Sequence, residues 1–204
     1  MNNIVGYFSD GSTWQQVTEK EYKKIFNHDL AILYLKQEIL ESVQREMSQI
    51  LSGNFAGFYA GLRFLFAEVT YLSQLYWGRD EAKSVARFMR KFNILTPTSG
   101  LHYEVFRHGL MHTHHPKFIR HKNKVVPWYI SNTQELGMFG ISNPTFRMQI
   151  ENAINKFIEE LEKEKDRNKR NRLDRFLKGL MSAGKILSAK DLKSYARSDF
   201  KKWK

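Results

Sequence analysis

The residue pattern predicts a mainly α fold, a helical bundle with a small β-hairpin or sheet decoration. Three features predict it. Apolar residues recur at three- and four-residue steps through several long stretches, the spacing that gathers them on one face of a helix. The 204 residues include only 4 prolines, which suits long helices better than a loop-rich β protein. Runs of β-branched and aromatic residues are confined to the N-terminus and to a stretch beginning at residue 117.

Residues 4–17, IVGYFSDGSTWQQV, set β-formers around an Asp-Gly turn and read as a short hairpin or extended arm. Thr18 precedes Glu21 at capping-box spacing, so a short helix starts there. From Asp29 to Leu51, the residues Ile32, Leu35, Ile39, Val43, Met47 and Ile50 form an apolar stripe between Glu, Lys and Gln, which predicts a long amphipathic helix. Residues 55–76 are apolar around most of the circumference and predict a central helix. Gly53, Gly57 and Gly61 recur there at four-residue steps; such small residues either permit close helix approach or fray the first turn. Asp80 to Phe92 predicts a third helix with Ala82, Val85, Met89 and Phe92 on one face.

The linker ILTPTSG leads to a fourth helix, from Leu101 to about His112, which Pro116 helps to end. Residues 117–141 read as a small excursion of two or three strands. Asn143-Pro144 opens a fifth helix running to about Lys165, with Phe146, Ile150, Ala153, Phe157 and Leu161 as its buried stripe. Two shorter helices follow, around 172–182 and 189–200, the second with Ser188 and Asp191 in a capping-box arrangement. The chain therefore divides into an N-terminal arm (1–27), a helical domain (28–165) with a β-like insert at 117–141, and a basic helical tail (166–204).

Composition narrows the function classes. Hydrophobic residues at 42% and charged residues at 26% are ordinary for a soluble globular protein, and 15 Phe supply core material. Cysteine is absent, so disulfides, thiolate zinc sites and a Cys nucleophile are excluded. The opening MNNIVGYFSDGSTW lacks the basic region and apolar run of a leader peptide; with the missing cysteines this predicts a cytoplasmic location. The most membrane-like stretch, residues 54–78, is interrupted by Arg63 and Glu68. Each charge at mid-bilayer costs roughly 2.5–3.5 kcal/mol, so a buried helix is expected and no membrane partner. From Lys163 to Lys204 the chain holds 15 Lys and Arg against 5 Asp and Glu, which is +10 of its net +12. A polyanionic partner is the usual implication, a solvated basic face the plainer one.

The stretch YEVFRHGLMHTHHPK, residues 103–117, holds four of the seven histidines. Glu104, His108 and His112 lie at four-residue steps and form one polar ridge on an ideal helix, with Arg107 beside it. Val105, Phe106, Leu110 and Met111 supply the flanks that bury the helix. Three readings stand. The first is a polar helix end, its histidines favoured by the helix dipole and Arg107 paired with Glu104. The second is a metal site using His108, His112 and one of His114 or His115. It lacks the carboxylate that usually lies between such histidines. The third is phosphodiester cleavage. Metal-free RNA cleavage needs a base for the ribose 2′-hydroxyl, an acid for the leaving 5′-oxygen and a cation for the phosphorane. Histidine, with a pKa of about 6.5, suits both proton transfers. The planar fork of arginine suits the phosphate oxygens.

Arg107-His108-Gly109-Leu110-Met111-His112 resembles the Arg-x4–6-His motif of the HEPN superfamily (higher eukaryotes and prokaryotes nucleotide-binding domains), in which a polar residue commonly follows the arginine. The order of helices over residues 29–115 is similar to the family's helical bundle, with the motif late in it. The resemblance implies a metal-independent endoribonuclease that needs no cofactor, acts on RNA as a homodimer with a composite site, and serves in toxin–antitoxin or phage-defence systems, where an antitoxin protein is a partner. It makes Arg107 and His112 catalytic with His108 beside them. Glu104, His114, His115 and Lys117 support the site or bind RNA. His114 satisfies the longer spacing from Arg107; His112 is preferred because it falls on the helix. Some family members have lost catalysis and act as binding modules, which leaves a nucleic-acid- or protein-binding module as the alternative. Trp128 and Tyr129 are read as an apolar strand face rather than a base-stacking pair, and Asp10-Gly11-Ser12 as a turn.

Overall fold

A computed structural model describes residues 4–9, 14–52, 58–79, 81–112, 115–126, 128–131, 139–166 and 171–183, without side-chain detail at 4–20, 22, 111, 112, 121, 131, 166 and 181–183. The chain is mainly helical, a bundle with small β pairs attached. Strands β1 (Ile4–Ser9) and β2 (Trp14–Thr18) form the expected antiparallel arm, irregular between Ile4 and Gly6. Its Asp10-Gly11-Ser12 turn lies outside the described residues. Helix α1 (Glu19–Ile25) follows directly.

The long helix read over Asp29–Leu51 is one continuous helical run in three parts. Helix α2 (His28–Tyr34) is capped by the Asn27 side chain, which accepts from the Leu30 N–H at 3.0 Å. A wide π-helical segment (Leu35–Leu40) leads into α3 (Glu41–Ser52). Leu35, Ile39, Val43 and Met47 of the apolar stripe are buried.

Helix α4 (Phe58–Trp77) is central, packed against α3 and the elements that follow. Among the described residues no helix is long and apolar enough to cross a membrane. Gly61 makes the close approach its spacing allows: a Cβ there would stand 3.0 Å from the Asn143 side chain and 3.3 Å from Met47. Gly53 and Gly57 lie outside the described residues. Gly78 ends α4 at φ +69°, its N–H donating to the Gln74 carbonyl at 2.8 Å. A left-handed residue after the last turn is cheapest as glycine.

Helix α5 (Ala82–Lys91) buries Val85, Phe88 and Met89, with Phe92 just beyond it. The reading is corrected at Ala82, which is exposed: the face turned inward runs through Ser84 and Phe88 instead. Helix α6 (Ser99–His102), a second π-helical segment (Tyr103–His108) and α7 (Gly109–His112) make up the fourth helix. The insert consists of a hairpin, β3 (Ile119–His121) with β4 (Lys124–Val126), and a parallel pair, β5 (Tyr129–Ser131) with β6 (Gly140–Ser142).

Helix α8 (Asn143–Asp166) buries the whole predicted stripe, Phe146, Ile150, Ala153, Phe157 and Leu161. Each such fully buried large side chain contributes roughly 1.5–3 kcal/mol of hydrophobic stabilisation. Helix α9 (Asn171–Ala183) is built into the bundle and not appended to it. Phe176 stacks on Phe26 at 5.7 Å and meets Phe157 at 5.8 Å between ring centroids. A Cβ on Gly179 would stand 2.8 Å from Leu75 Cα, so α9 lies directly on α4. A boundary at residue 166 therefore does not separate tail from core over 171–183. The helix expected at 189–200 lies outside the described residues.

Candidate functional site

The segment from Ser99 to His112 is held at both ends. At its start His102 is buried, with Nε2 2.9 Å from the Gly140 carbonyl and Nδ1 3.0 Å from Thr98 Oγ1. Its ring lies against Phe139 and Phe106 at 4.5 and 5.9 Å. This histidine is structural, tying the helix to β6. At the far end Arg63 of α4 donates from Nε to the Leu110 carbonyl at 3.2 Å. Carbonyls of a last helical turn lack intrahelical donors, so a cation there is stabilising. In the sequence Arg63 figured only as an interruption of an apolar run. Its signal was that interruption, a single cation that a buried helix must direct to a carbonyl or carboxylate.

The π-helical segment alters the local geometry. In such a turn carbonyls pair five residues ahead instead of four, and one carbonyl is easily left over. Here Val105 accepts from the Lys117 N–H at 2.8 Å. The chain after the helix thus doubles back against it, and Gly109 is what lets it pass. A Cβ at 109 would press into the His115 carbonyl oxygen and stand 2.6 Å from Lys117 N and Pro116 Cα.

Four of the predicted residues share this end. The Lys117 ammonium donates to Glu104 Oε1. His108 Nε2 lies 3.7 Å from Glu104 Oε2, an ion pair when the imidazole is protonated. The hydrogen bond from Lys117 holds the Glu104 carboxyl below the usual carboxylate range; slight burial opposes this, and His108 adds to it. The pairing of Arg107 with Glu104 expected of a plain helix end is corrected: Lys117 and His108 hold that carboxylate, and Arg107 turns to Tyr103. Its guanidinium carbon is 5.6 Å from the Tyr103 ring centroid, a cation–π contact. His108 meets the edge of the same ring at 5.6 Å. Tyr103, which the sequence reading did not single out, is therefore the common support of both residues.

His115 packs edge-on against Tyr59 of α4 at 6.0 Å between ring centroids. Met111 and His112 close α7 as helix, and their side chains lie outside the described residues, as does His114. Val105, Phe106 and Leu110 are buried, as the flanks of the helix require. Trp128 is partly buried, 6.0 Å from Phe106, and so faces the bundle. Among the described residues no group of three or more His, Asp or Glu side chains is placed to hold a metal ion.

The assembled end offers a supported arginine, an adjacent imidazole with a carboxylate neighbour, and a backbone locked by one glycine and one lysine. This arrangement can bind an anion and exchange protons beside it. The chain matches no family model, no curated protein and no solved structure.

Proposed function

We propose that the chain is a metal-independent endoribonuclease of HEPN type, with Arg107 and His112 as the reacting residues and His108 beside them. The observation that carries this reading is Arg107. It lies half-buried on Tyr103, with no carboxylate partner among the described residues, while Glu104, three residues before it on the helix, is engaged by Lys117. An arginine so supported is free to meet a phosphate, and its fork fits the phosphate oxygens in pairs.

In the reaction, one His112 takes the proton of a ribose 2′-hydroxyl as that oxygen attacks the adjacent phosphorus. The bond from phosphorus to the 5′-oxygen breaks, and an imidazolium returns a proton to that oxygen. Arg107 neutralises the charge of the phosphorane. The products are a 2′,3′-cyclic phosphate and a 5′-hydroxyl. One chain supplies one such helix end, so a homodimer provides base and acid together. The biological role that goes with this chemistry is that of a toxin or phage-defence component restrained by an antitoxin protein.

The test is cleavage of RNA by the wild type, His112→Ala and Arg107→Ala, each with and without EDTA. Wild-type cleavage that ignores EDTA and falls about 10²–10⁴-fold in both variants supports the reading. Equal background from all three proteins overturns it and leaves a nucleic-acid-binding module.

A further inference from the structure

From Val105 to Gln134 the chain has no Asp or Glu, yet it holds Arg107, Lys117, Arg120, Lys122, Lys124 and five of the seven histidines. The β3–β4 hairpin lies in the middle of this run and has two unlike faces. Ile119 packs against the core and its cross-strand partner Val126 is partly buried. Arg120 and its partner Val125 are exposed. Phe118, where the chain enters the hairpin, is 79% exposed, the most of any large hydrophobic residue described.

The tip is a two-residue turn in which Lys122 and Asn123 have φ 47° and 60°. Both values are those of the mirror-type turn that favours Asn and Gly. Asn123 fits this rule; Lys122 holds a conformation that its Cβ disfavours, and places a cation at the tip. Arg120, Lys122 and Lys124 are all exposed, and none has a carboxylate partner among the described residues. An exposed ring beside exposed cations adds little to the core.

Single-stranded nucleic acid has the complementary chemistry. Its phosphates follow cations, and its unpaired bases stack on aromatic faces, whereas a duplex keeps those faces inside. The hairpin also adjoins the helix end, because Lys117, next to Phe118, is bound to Val105 and Glu104. We infer that the outer face of the β3–β4 hairpin binds single-stranded RNA, one base stacking on Phe118 and the phosphates lying along Arg120 and the tip cation Lys122. The choice of RNA rests on the ribonuclease reading; the ring and the cations stand independently of it.

The experiment is fluorescence anisotropy with the full chain carrying His112→Ala, so that the probe survives. The probes are a labelled RNA of roughly 12 nucleotides, single-stranded and as a duplex, over a range of salt concentrations. Phe118→Ala is expected to raise Kd for the single strand about 5- to 100-fold and to leave duplex binding nearly unchanged, while Phe118→Trp retains affinity. Arg120→Gln with Lys122→Asn, which preserves the turn, is expected to reduce the slope of log K against log salt by about 1.4. Far-UV circular dichroism checks that each variant is folded, as the exposure of these side chains leads one to expect. Unchanged single-strand affinity in Phe118→Ala, or tighter binding of the duplex, overturns the inference. If Phe118→Ala loses binding but the wild type cleaves nothing, the hairpin surface stands and the ribonuclease reading falls. If the wild type cleaves and Phe118→Ala binds as before, the reverse holds.

Discussion

The backbone N–H of Lys117 donates to the Val105 carbonyl at 2.8 Å and so folds the chain back along the helix it has just left. Two features of this segment make the bond possible. The π-helical turn spares the carbonyl, and Gly109 leaves room for His115, Pro116 and Lys117 to pass.

Gly109→Ala should therefore be destabilising. Its methyl would meet backbone atoms of 115–117, which cannot swing aside as a flexible side chain does. A loss of about 2–3 kcal/mol is expected in urea unfolding, with the fold-back displaced. Gly100→Ala is the control. Its nearest neighbour, an Arg90 guanidinium nitrogen, is 3.9 Å from the added carbon, so this helical glycine should gain about 0.5–1 kcal/mol as alanine. Equal effects at the two positions would refute the close approach at 109.

Lys117→Met should release Glu104. Its carboxyl is held low chiefly by the hydrogen bond from Lys117, so in the variant its titration, followed by NMR, should move up toward the ordinary carboxylate range. Both side chains are about half exposed, which keeps the cost to stability below about 1 kcal/mol. A Glu104 titration unchanged by the substitution would remove Lys117 as its partner.

Glu68 should give stability a slope near neutrality. Burial on α4 pushes its carboxyl up to about 7, above its value in the unfolded chain. The folded state thus binds this proton more tightly, and the associated stability is present at acid pH and lost as pH rises through 7. Glu68→Gln should remove that loss and be more stable than the wild type at pH 8, by on the order of 2 kcal/mol after allowance for partial exposure. Thermal unfolding of both proteins at pH 5 and pH 8 measures it; parallel curves would show that Glu68 titrates normally.

Glu160 should act in the opposite sense at lower pH. Burial works to raise its pKa, but Lys91 at 2.9 Å, the Tyr76 hydroxyl at 2.7 Å and Arg172 at 3.1 Å hold it below the usual carboxylate range. Its contribution is present above the ordinary carboxylate pKa and lost as pH falls through the folded value. Glu160→Ala leaves Arg172, stacked 4.1 Å from the Tyr76 ring centroid, and Lys91 without their shared carboxylate. A loss of about 3 kcal/mol is expected in denaturant unfolding at neutral pH. A loss under 1 kcal/mol would mean that the aromatic packing around Tyr76 alone joins α4, α5, α8 and α9.

What the sequence determined by itself is local. The stripe Phe146, Ile150, Ala153, Phe157 and Leu161 is entirely buried, because a helix repeats over a few residues and its inward face is written in that period. The same logic placed Arg107 and His108 on a helix near its end, and put β pairs after residue 117. What tertiary structure decided is which distant groups meet. The helix is π-wound over Tyr103–His108 and its Val105 carbonyl takes a donor from twelve residues beyond, so the 100° per residue of an ideal helix does not hold where the candidate site lies. Glu104 had Arg107 within reach along the helix, yet it pairs with Lys117, because the chain folds back there. Arg63 reaches the Leu110 carbonyl from another helix. No local pattern records these contacts. Hydrogen bonds and ion pairs form wherever burial leaves a carbonyl or a charge without water, and only the packed chain settles which partner is close enough.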